Sequence, residues 1–237
     1  MEKIIHKSAN RGFANHEWLK AAHSFSFANY YDENKIHFGK LRVLNDDIVA
    51  PAKGFGMHPH KDMEIITIPQ TGALKHADNM GNEAVITTGE VQVMSAGTGV
   101  YHSEFNASDT EPVNLFQIWI FTNQTGHKPR YDQKLFSPEG RDGNWQLLVS
   151  PDGRDESLRI HQNAFVSTID SNRLTEIQYK IYSPGNGVYF MVSDGTVEIE
   201  GNILERRDAA GFWAFNRPLK IQFKQASNLL AIEVPMQ

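Results

Sequence analysis

The sequence predicts an all-β protein built from two similar β-barrels. Short runs rich in Val, Ile, Leu and aromatic residues recur along the chain, and Gly, Asn, Asp and Pro separate them. Many short strands with turn residues between them are typical of sandwiches and barrels. Long amphipathic helices are not evident, and the best candidate is a short helix over residues 16–22. The main predicted strands are 41–44, 64–68, 91–94, 115–121, 145–149, 188–192, 196–200 and 229–234.

A weak internal repeat predicts two domains. The order strand, glycine turn, strand, turn, strand in the first half returns between residues 188 and 215, but without histidines. A polar stretch at 137–144 separates the two copies. We therefore expect an N-terminal barrel, residues 1–145, that carries the functional site, and a C-terminal barrel, residues 146–237, that serves as a scaffold. The first strand is also a candidate to cross over and pair with the second barrel.

Composition limits the classes of function. The 237 residues carry a formal net charge of −5 without a basic block, which argues against direct nucleic-acid binding. The chain has no cysteine, so disulfides, thiolate zinc sites and iron–sulfur clusters are excluded. The first residues lack a signal-peptide pattern, and no run approaches the roughly 18 apolar residues of a membrane span. We expect a cytoplasmic monomer with no membrane contact; a protein partner stays open.

Two short blocks contain a candidate metal site. His58 and His60 lie two residues apart, as do His102 and Glu104. Residues i and i+2 of a β-strand point to the same face, so two strands could aim both pairs at one point. Imidazole and carboxylate ligands suit zinc, iron, nickel, copper or manganese. The sequence therefore predicts one divalent transition metal held by these four residues.

Glu64 has three interpretations. Its even spacing from His60 would put both side chains on one face of a regular strand. It could then be a further ligand, a group that orients a metal-bound histidine, or a charge on the lid side of the site.

Other polar residues near the blocks have ordinary structural interpretations. We expect His76, beside a turn, to face solvent or the barrel mouth. Asp46 and Asp47 are interpreted as a turn at a strand end. Trp119 and Phe121 share a strand face with Gln117 and are assigned to the core.

The spacing of the two blocks resembles the cupin superfamily. The first reads Gly54-x3-His58-x-His60-x3-Glu64-x7-Gly72, and the second reads Gly89-x5-Ser95-x-Gly97-x4-His102-x3-Asn106. Ser95 stands where cupins often have proline. Three segments resemble the pirin family of this superfamily: His58-Pro-His60-Lys-Asp-Met-Glu64, Met94-Ser-Ala-Gly-Thr-Gly99 and His102-Ser-Glu104. The segments 24–31 and 41–47 also resemble that family, and 150–155 and 160–162 resemble the shorter bacterial pirins.

The resemblance implies a bicupin with one metal in its N-terminal barrel. Its ligands map to His58, His60, His102 and Glu104, with Fe(II) as the expected ion and Zn, Ni, Cu, Co or Mn as alternatives. Bacterial pirins are similar to quercetin 2,3-dioxygenases, which open a flavonol ring with O₂ and release carbon monoxide. In such an enzyme Glu104 would be the general base for a flavonol-like substrate.

Two alternatives remain open. Eukaryotic pirins are described as iron-dependent transcriptional co-regulators, so the chain could be a non-enzymatic metal or redox sensor that binds a protein partner. It could also be a cupin that binds or isomerises a small molecule without redox chemistry.

Overall fold

Along many strands, buried side chains alternate with more exposed ones, so one face of the strand lies in the interior and the other towards the surface. In the computed structural model, which describes residues 1–172 and 174–237, β-strands account for the regular structure apart from short 3₁₀ turns. The strands of these residues are β1 Glu2–His6, β2 Gly12–Asn15, β3 Leu19–His23, β4 Leu41–Val49, β5 Gly54–His60, β6 Met63–Thr71, β7 Ala73–Asp78, β8 Glu83–Thr87, β9 Glu90–Ser95, β10 Val100–Asn106, β11 Val113–Phe121, β12 Arg130–Leu135, β13 Gln146–Ser150, β14 Leu158–Arg159, β15 Phe165–Ser171, β16 Glu176–Tyr179, β17 Asn186–Asp194, β18 Thr196–Ile199, β19 Asn202–Glu205, β20 Ala209–Trp213, β21 Leu219–Phe223 and β22 Ser227–Pro235. The 3₁₀ turns are Ser8–Asn10, Pro138–Arg141 and Arg154–Glu156.

Each half of the chain contains one large and one small sheet. In the N-terminal half the order is β12-β9-β6-β11-β4-β3-β2 in a seven-stranded sheet and β5-β10-β7-β8 in a four-stranded sheet. In the C-terminal half the corresponding orders are β1-β20-β17-β22-β15-β13-β14 and β16-β21-β18-β19. The strand pairs are antiparallel except β13 with β14. The predicted all-β class with two similar halves is confirmed.

Apolar clusters hold the halves together and fill the C-terminal one. One cluster contains Leu44 and Phe116 from the N-terminal half together with Tyr189 and Ile232 from the C-terminal half. These residues belong to the two seven-stranded sheets, so the two halves pack through their large sheets. A second cluster fills the inside of the C-terminal half with side chains such as that of Phe190. The scaffold role of this half stays a prediction.

The first strand crosses between the halves. Glu2–His6 pairs antiparallel with β20 of the C-terminal half, from Glu2 opposite Trp213 to His6 opposite Ala209. The expected crossing is confirmed, while the division at residue 145 stays a prediction. Within the described residues, no helix has the length and apolar character that a membrane-spanning segment requires.

Two local predictions are wrong. Residues 19–23 form β3 instead of a helix, because Leu19, Ala21 and His23 alternate into the interior and pair with β4. Strand pairing thus overrides local helix propensity. Asp46 and Asp47 lie inside β4 rather than at a strand-end turn.

Candidate metal centre

Neighbouring strands bring three histidines together at one end of the small N-terminal sheet. His58 and His60 lie on β5, and His102 on β10 stands directly opposite His58 in the antiparallel register. The ring centroids are 4.4 Å apart for His58 and His102, 4.9 Å for His58 and His60, and 4.8 Å for His60 and His102. One nitrogen from each ring lies within 4.8 Å of the others. The i, i+2 prediction therefore places these three side chains correctly.

Glu104 lies in a second group of candidate metal ligands, which shares His102 with the first. The register between β10 and β5 shifts after His102, so Glu104 stands opposite Phe55. From His102 to Glu104, β10 advances by two residues while β5 advances by three, from His58 to Phe55. Such an irregularity resembles a β-bulge, which changes the direction of the neighbouring side chains. Ligand atoms of Glu104, His102 and His76 lie within 4.8 Å of one another. The four predicted ligands thus fall into two groups that share His102.

The state of the histidines fits a transition metal. His102 Nε2 is buried and has no hydrogen-bond partner. His58 Nδ1 lies 2.7 Å from the Gly56 carbonyl oxygen, which can only accept, so Nδ1 carries a proton and Nε2 is the nitrogen left to face a metal. Burial, and after it the charge of His58, lowers the pKa of His60 to about 4. Burial, and after it the charges of His58 and His60, lowers the pKa of His102 to about 2. His60 and His102 are neutral at pH 7, the form that coordinates metals.

Two side chains of the large sheet hold the Glu104 carboxylate. Gln117 Nε2 donates to Glu104 Oε2 at 3.0 Å, and Thr67 Oγ1 lies 3.4 Å from Glu104 Oε1. Thr67 Oγ1 is also 3.2 Å from Gln117 Oε1, and its single proton can serve only one of these acceptors at a time. Burial raises the pKa of Glu104 despite the opposing hydrogen bonds. The carboxyl group is therefore a strong proton acceptor beside the histidines.

These supporting residues belong to a polar row that crosses the large sheet. Successive cross-strand partners are His23, Asn45, Gln117, Thr67 and Gln92, all of them buried. Gln92 Nε2 extends the hydrogen-bonded chain to Thr67 Oγ1 at 3.4 Å. The sequence prediction missed Thr67 and gave Gln117 no site role, because their alignment depends on the register of strands that are distant in sequence.

His76 does not face solvent or the barrel mouth as predicted. It is fully buried on β7, and its ring centroid lies 5.3 Å from that of His102. The signal that could have found it is the spacing of His76 and Asp78, which are two apart like the predicted ligand pairs.

Glu64 faces away from the histidines. Asp62, with φ of 48°, lies in the break between β5 and β6, so Glu64 and His60 do not share one regular strand. Its buried carboxylate accepts from Ser95 Oγ at 2.7 Å and from the His161 backbone N–H. The interpretations of Glu64 as a ligand, as an orienting group for a ligand and as a lid-side charge are wrong for this arrangement.

Trp119 has a role beyond the core. It is only half-buried, and its ring meets that of His60 edge-on at 4.8 Å and that of Phe27 at 5.3 Å. Its Nε1 is buried without a hydrogen-bond partner. Trp119 therefore forms one wall of the site.

Comparison with known families decides the assignment. A family model described as Pirin matches residues 6–120, and one described as Quercetinase C-terminal cupin domain matches residues 147–234. The chain belongs to the pirin family. It is 41% identical over 232 residues to a protein of Escherichia coli K12 named quercetin 2,3-dioxygenase, covering 98% of each chain. It is 43% identical over 203 residues to a pirin-like protein of Caulobacter vibrioides, covering 84% of this chain and 86% of that one.

Solved structures agree with the fold of this pirin. The crystal structure of YhhW from Escherichia coli superimposes with a TM-score of 0.94 at 40% identity, covering 99% of this chain and 98% of that one. The same bacterial pirin in complex with nickel(II) gives a TM-score of 0.93 at 40% identity, covering 99% of each chain. Both halves are cupin domains, and the histidine and glutamate cluster lies in the N-terminal one.

Proposed function

We propose that this pirin is a metal-dependent dioxygenase that opens the heterocyclic ring of a flavonol-like substrate with O₂ and releases carbon monoxide. The observation that carries the proposal is the buried, unpartnered Nε2 of His102 among His58 and His60, beside a buried carboxylate with a raised pKa. The relative from Escherichia coli that is named quercetin 2,3-dioxygenase supports the same reaction class.

His58, His60 and His102 are the proposed ligands, with Glu104 as the fourth. Fe(II) is the first candidate ion, and nickel gains support because YhhW has been solved with nickel(II). A bound transition metal would lower the pKa of the substrate hydroxyl as a Lewis acid and exchange electrons with O₂. Neutral imidazoles keep the affinity for such an ion high at pH 7.

Glu104 is the proposed general base. It would accept the proton of the flavonol 3-hydroxyl, which must leave before the ring becomes electron-rich enough to react. In the metal-free chain, burial raises the pKa of Glu104, which makes its carboxylate a stronger base than an exposed one. The donors on Gln117 and Thr67 set the direction of its lone pairs and limit its rotation.

Aromatic walls suit a planar substrate. Trp119 lies against His60, and Phe55 lies beside His58 with ring centroids 6.4 Å apart. The unpartnered Nε1–H of Trp119 could donate to a substrate oxygen. The site would then bind an aromatic ligand that carries an oxygen acceptor more tightly than an apolar one.

A metal-by-metal turnover assay tests the proposal. Apoprotein is loaded in turn with iron, nickel, copper, cobalt or manganese, and loss of the flavonol absorption band is measured together with carbon monoxide release. We expect turnover with at least one ion and none in His58→Ala. Glu104→Gln should lose more activity than metal, because the amide cannot accept the proton. Equal loss of activity and bound metal in Glu104→Gln would show that Glu104 acts only as a ligand. Metal binding without turnover for every ion would refute the proposed dioxygenase activity.

A second candidate is a metal-sensing protein that binds a partner. The observation that favours it is an apolar outer face on the same small sheet, where Met57, Tyr101 and Phe105 are 59%, 52% and 39% exposed. These residues alternate with the proposed ligands along β5 and β10, so metal binding could alter that face. Tight metal binding with no turnover would favour this candidate.

A further inference from the structure

A chain of buried polar groups leads from the proposed metal centre into the small sheet. His76 Nδ1 lies 3.4 Å from His102 Nδ1, and His76 Nε2 lies 3.2 Å from Asp78 Oδ2. The side chains of His76 and Asp78 are both 0% exposed. Each of the two contacts involves a different ring nitrogen of His76, so the ring links the other two groups.

Only one proton arrangement satisfies every contact of this chain when His102 faces a metal through Nε2. His102 Nδ1 then carries the ring proton and donates to His76 Nδ1. His76 must in turn carry its proton on Nε2, which donates to Asp78. The chain therefore specifies the tautomer of His102, and it leaves the lone pair on the nitrogen that has no protein partner.

Asp78 is well placed to anchor the chain. Its Oδ1 accepts from the backbone N–H groups of Met80 at 2.9 Å and Asn82 at 3.0 Å, and its Oδ2 accepts from Asn82 Nδ2 at 2.8 Å. Burial alone would raise the pKa of Asp78, but the hydrogen bonds from Asn82, His76 and Met80 outweigh it and hold the pKa below its ordinary value. The carboxylate therefore stays ionised and acts as an acceptor fixed by the turn between β7 and β8.

Packing restricts the middle member of the chain. The ring of Tyr131 stacks on His76 with centroids 4.7 Å apart and an interplanar angle of 29°. Tyr131 OH is engaged separately, donating to Gln133 Oε1 at 2.8 Å. His76 is therefore held by a ring face and by contacts at both nitrogens.

We propose that His76 and Asp78 are positioning residues that orient His102 for metal binding without binding the metal themselves. This inference rests on the proposed metal centre and deepens it. Groups that hydrogen-bond the far nitrogen of a metal-bound histidine fix its ring and raise its basicity, and their loss typically weakens metal affinity by about 10–100-fold. The competing arrangement is a ligand role for His76 together with His102 and Glu104, whose ligand atoms lie within 4.8 Å of one another.

The test measures the affinity and stoichiometry of Ni²⁺ and Co²⁺ binding by competition with a chelator, with the visible spectrum of bound Co²⁺ as a geometric readout. We expect one ion in the wild-type chain. His76→Leu and Asp78→Asn should weaken binding by about 10–100-fold and about 10-fold, respectively, and change the Co²⁺ spectrum. His76→Asn should recover most of the affinity, because its Oδ1 occupies the place of Nδ1 and accepts from His102.

A matched control separates positioning from general damage to the fold. His6 is also a buried histidine, but it lies on β1 outside the site and the polar row, with Nδ1 2.8 Å from Tyr189 Oη. His6→Leu should leave the metal affinity and the Co²⁺ spectrum unchanged. The thermal midpoint of each apoprotein checks that the variants fold, and His76→Asn keeps the test decisive if His76→Leu does not.

Three results would overturn the inference in distinguishable ways. Unchanged affinity and spectrum in both His76→Leu and Asp78→Asn would remove the positioning role while the metal centre stands. A second bound ion that is lost in both His76 variants would make His76 a ligand. Absence of metal binding in the wild-type chain would overturn the proposed metal centre itself.

Discussion

Replacing Asp47 by asparagine should remove a strong pH dependence of stability. Asp47 lies on β4, is 5% exposed, and its Oδ1 has no hydrogen-bond partner. Burial, and after it the charges of Asp46 and Glu104, raises the pKa of Asp47 to about 8 against the opposing charge of Arg11. The native protein therefore holds this carboxyl protonated at pH 7.

The sign and size of this pH dependence follow from the number of protons bound to Asp47 in the folded and the unfolded chain. The ordinary pKa is 3.8, so between about pH 4 and pH 8 the folded chain holds one proton more than the unfolded chain. The contribution of Asp47 to the free energy of unfolding then falls by about 1.4 kcal/mol for each unit that the pH rises. From pH 5 to pH 8 this contribution loses roughly 4 kcal/mol. Asparagine has no proton to lose, so Asp47→Asn gains that amount relative to wild type.

Urea denaturation at pH 5, 6, 7, 8 and 9, with a chelator present to keep both chains free of metal, measures the difference. The stability of Asp47→Asn minus that of wild type should rise between pH 5 and pH 8 and become level above pH 8. Asp109→Asn, at an exposed loop residue, controls for the removal of a carboxylate in general. A difference for Asp47→Asn that stays constant from pH 5 to pH 8 would refute the raised pKa and the argument built on it.

Three further outcomes are expected. Gln117→Leu should lower turnover and weaken metal binding by about 10-fold each, because Glu104 loses its closest donor; unchanged kcat at saturating flavonol would contradict this. Phe190→Ala, in the filled C-terminal interior, should cost about 3–5 kcal/mol in urea denaturation and leave Ni²⁺ affinity intact, whereas a parallel loss of affinity would couple that interior to the metal centre. Ni²⁺ at about 100 times its Kd should stabilise the wild-type chain by about 2.7 kcal/mol but not His58→Ala, and equal shifts of the thermal midpoint would place the ion elsewhere.

Local pattern explains which predicted site residues the structure brings together. His58, His60 and His102 converge because spacing by two specifies a common strand face wherever the strand is regular. The same rule failed for Glu64, since the chain turns at Asp62 between the two strands. Spacing is therefore informative within one strand but not across a break in it.

The helix expected at 16–22 failed for a different reason. The apolar residues at 18, 19 and 22 fit a helical spacing, but Leu19, Ala21 and His23 also alternate as in a strand, so the short segment cannot decide between the two periods. Pairing with β4 buries the alternating face and settles the structure. Asp47 was misplaced for a similar reason, because a carboxylate inside a buried strand contradicts composition rules that usually hold.

The amino-acid sequence by itself determined the all-β class, the two similar halves and the histidine pairs, because strand alternation and ligand spacing are local properties. Only the tertiary structure decided which distant residues lie opposite those pairs. Strand register is set by burial over whole sheets, and a slip of one residue would reverse every facing side chain. Register therefore brought His76 to His102, aligned Gln117 and Thr67 beneath Glu104, and separated Glu104 from His58 by one irregular step.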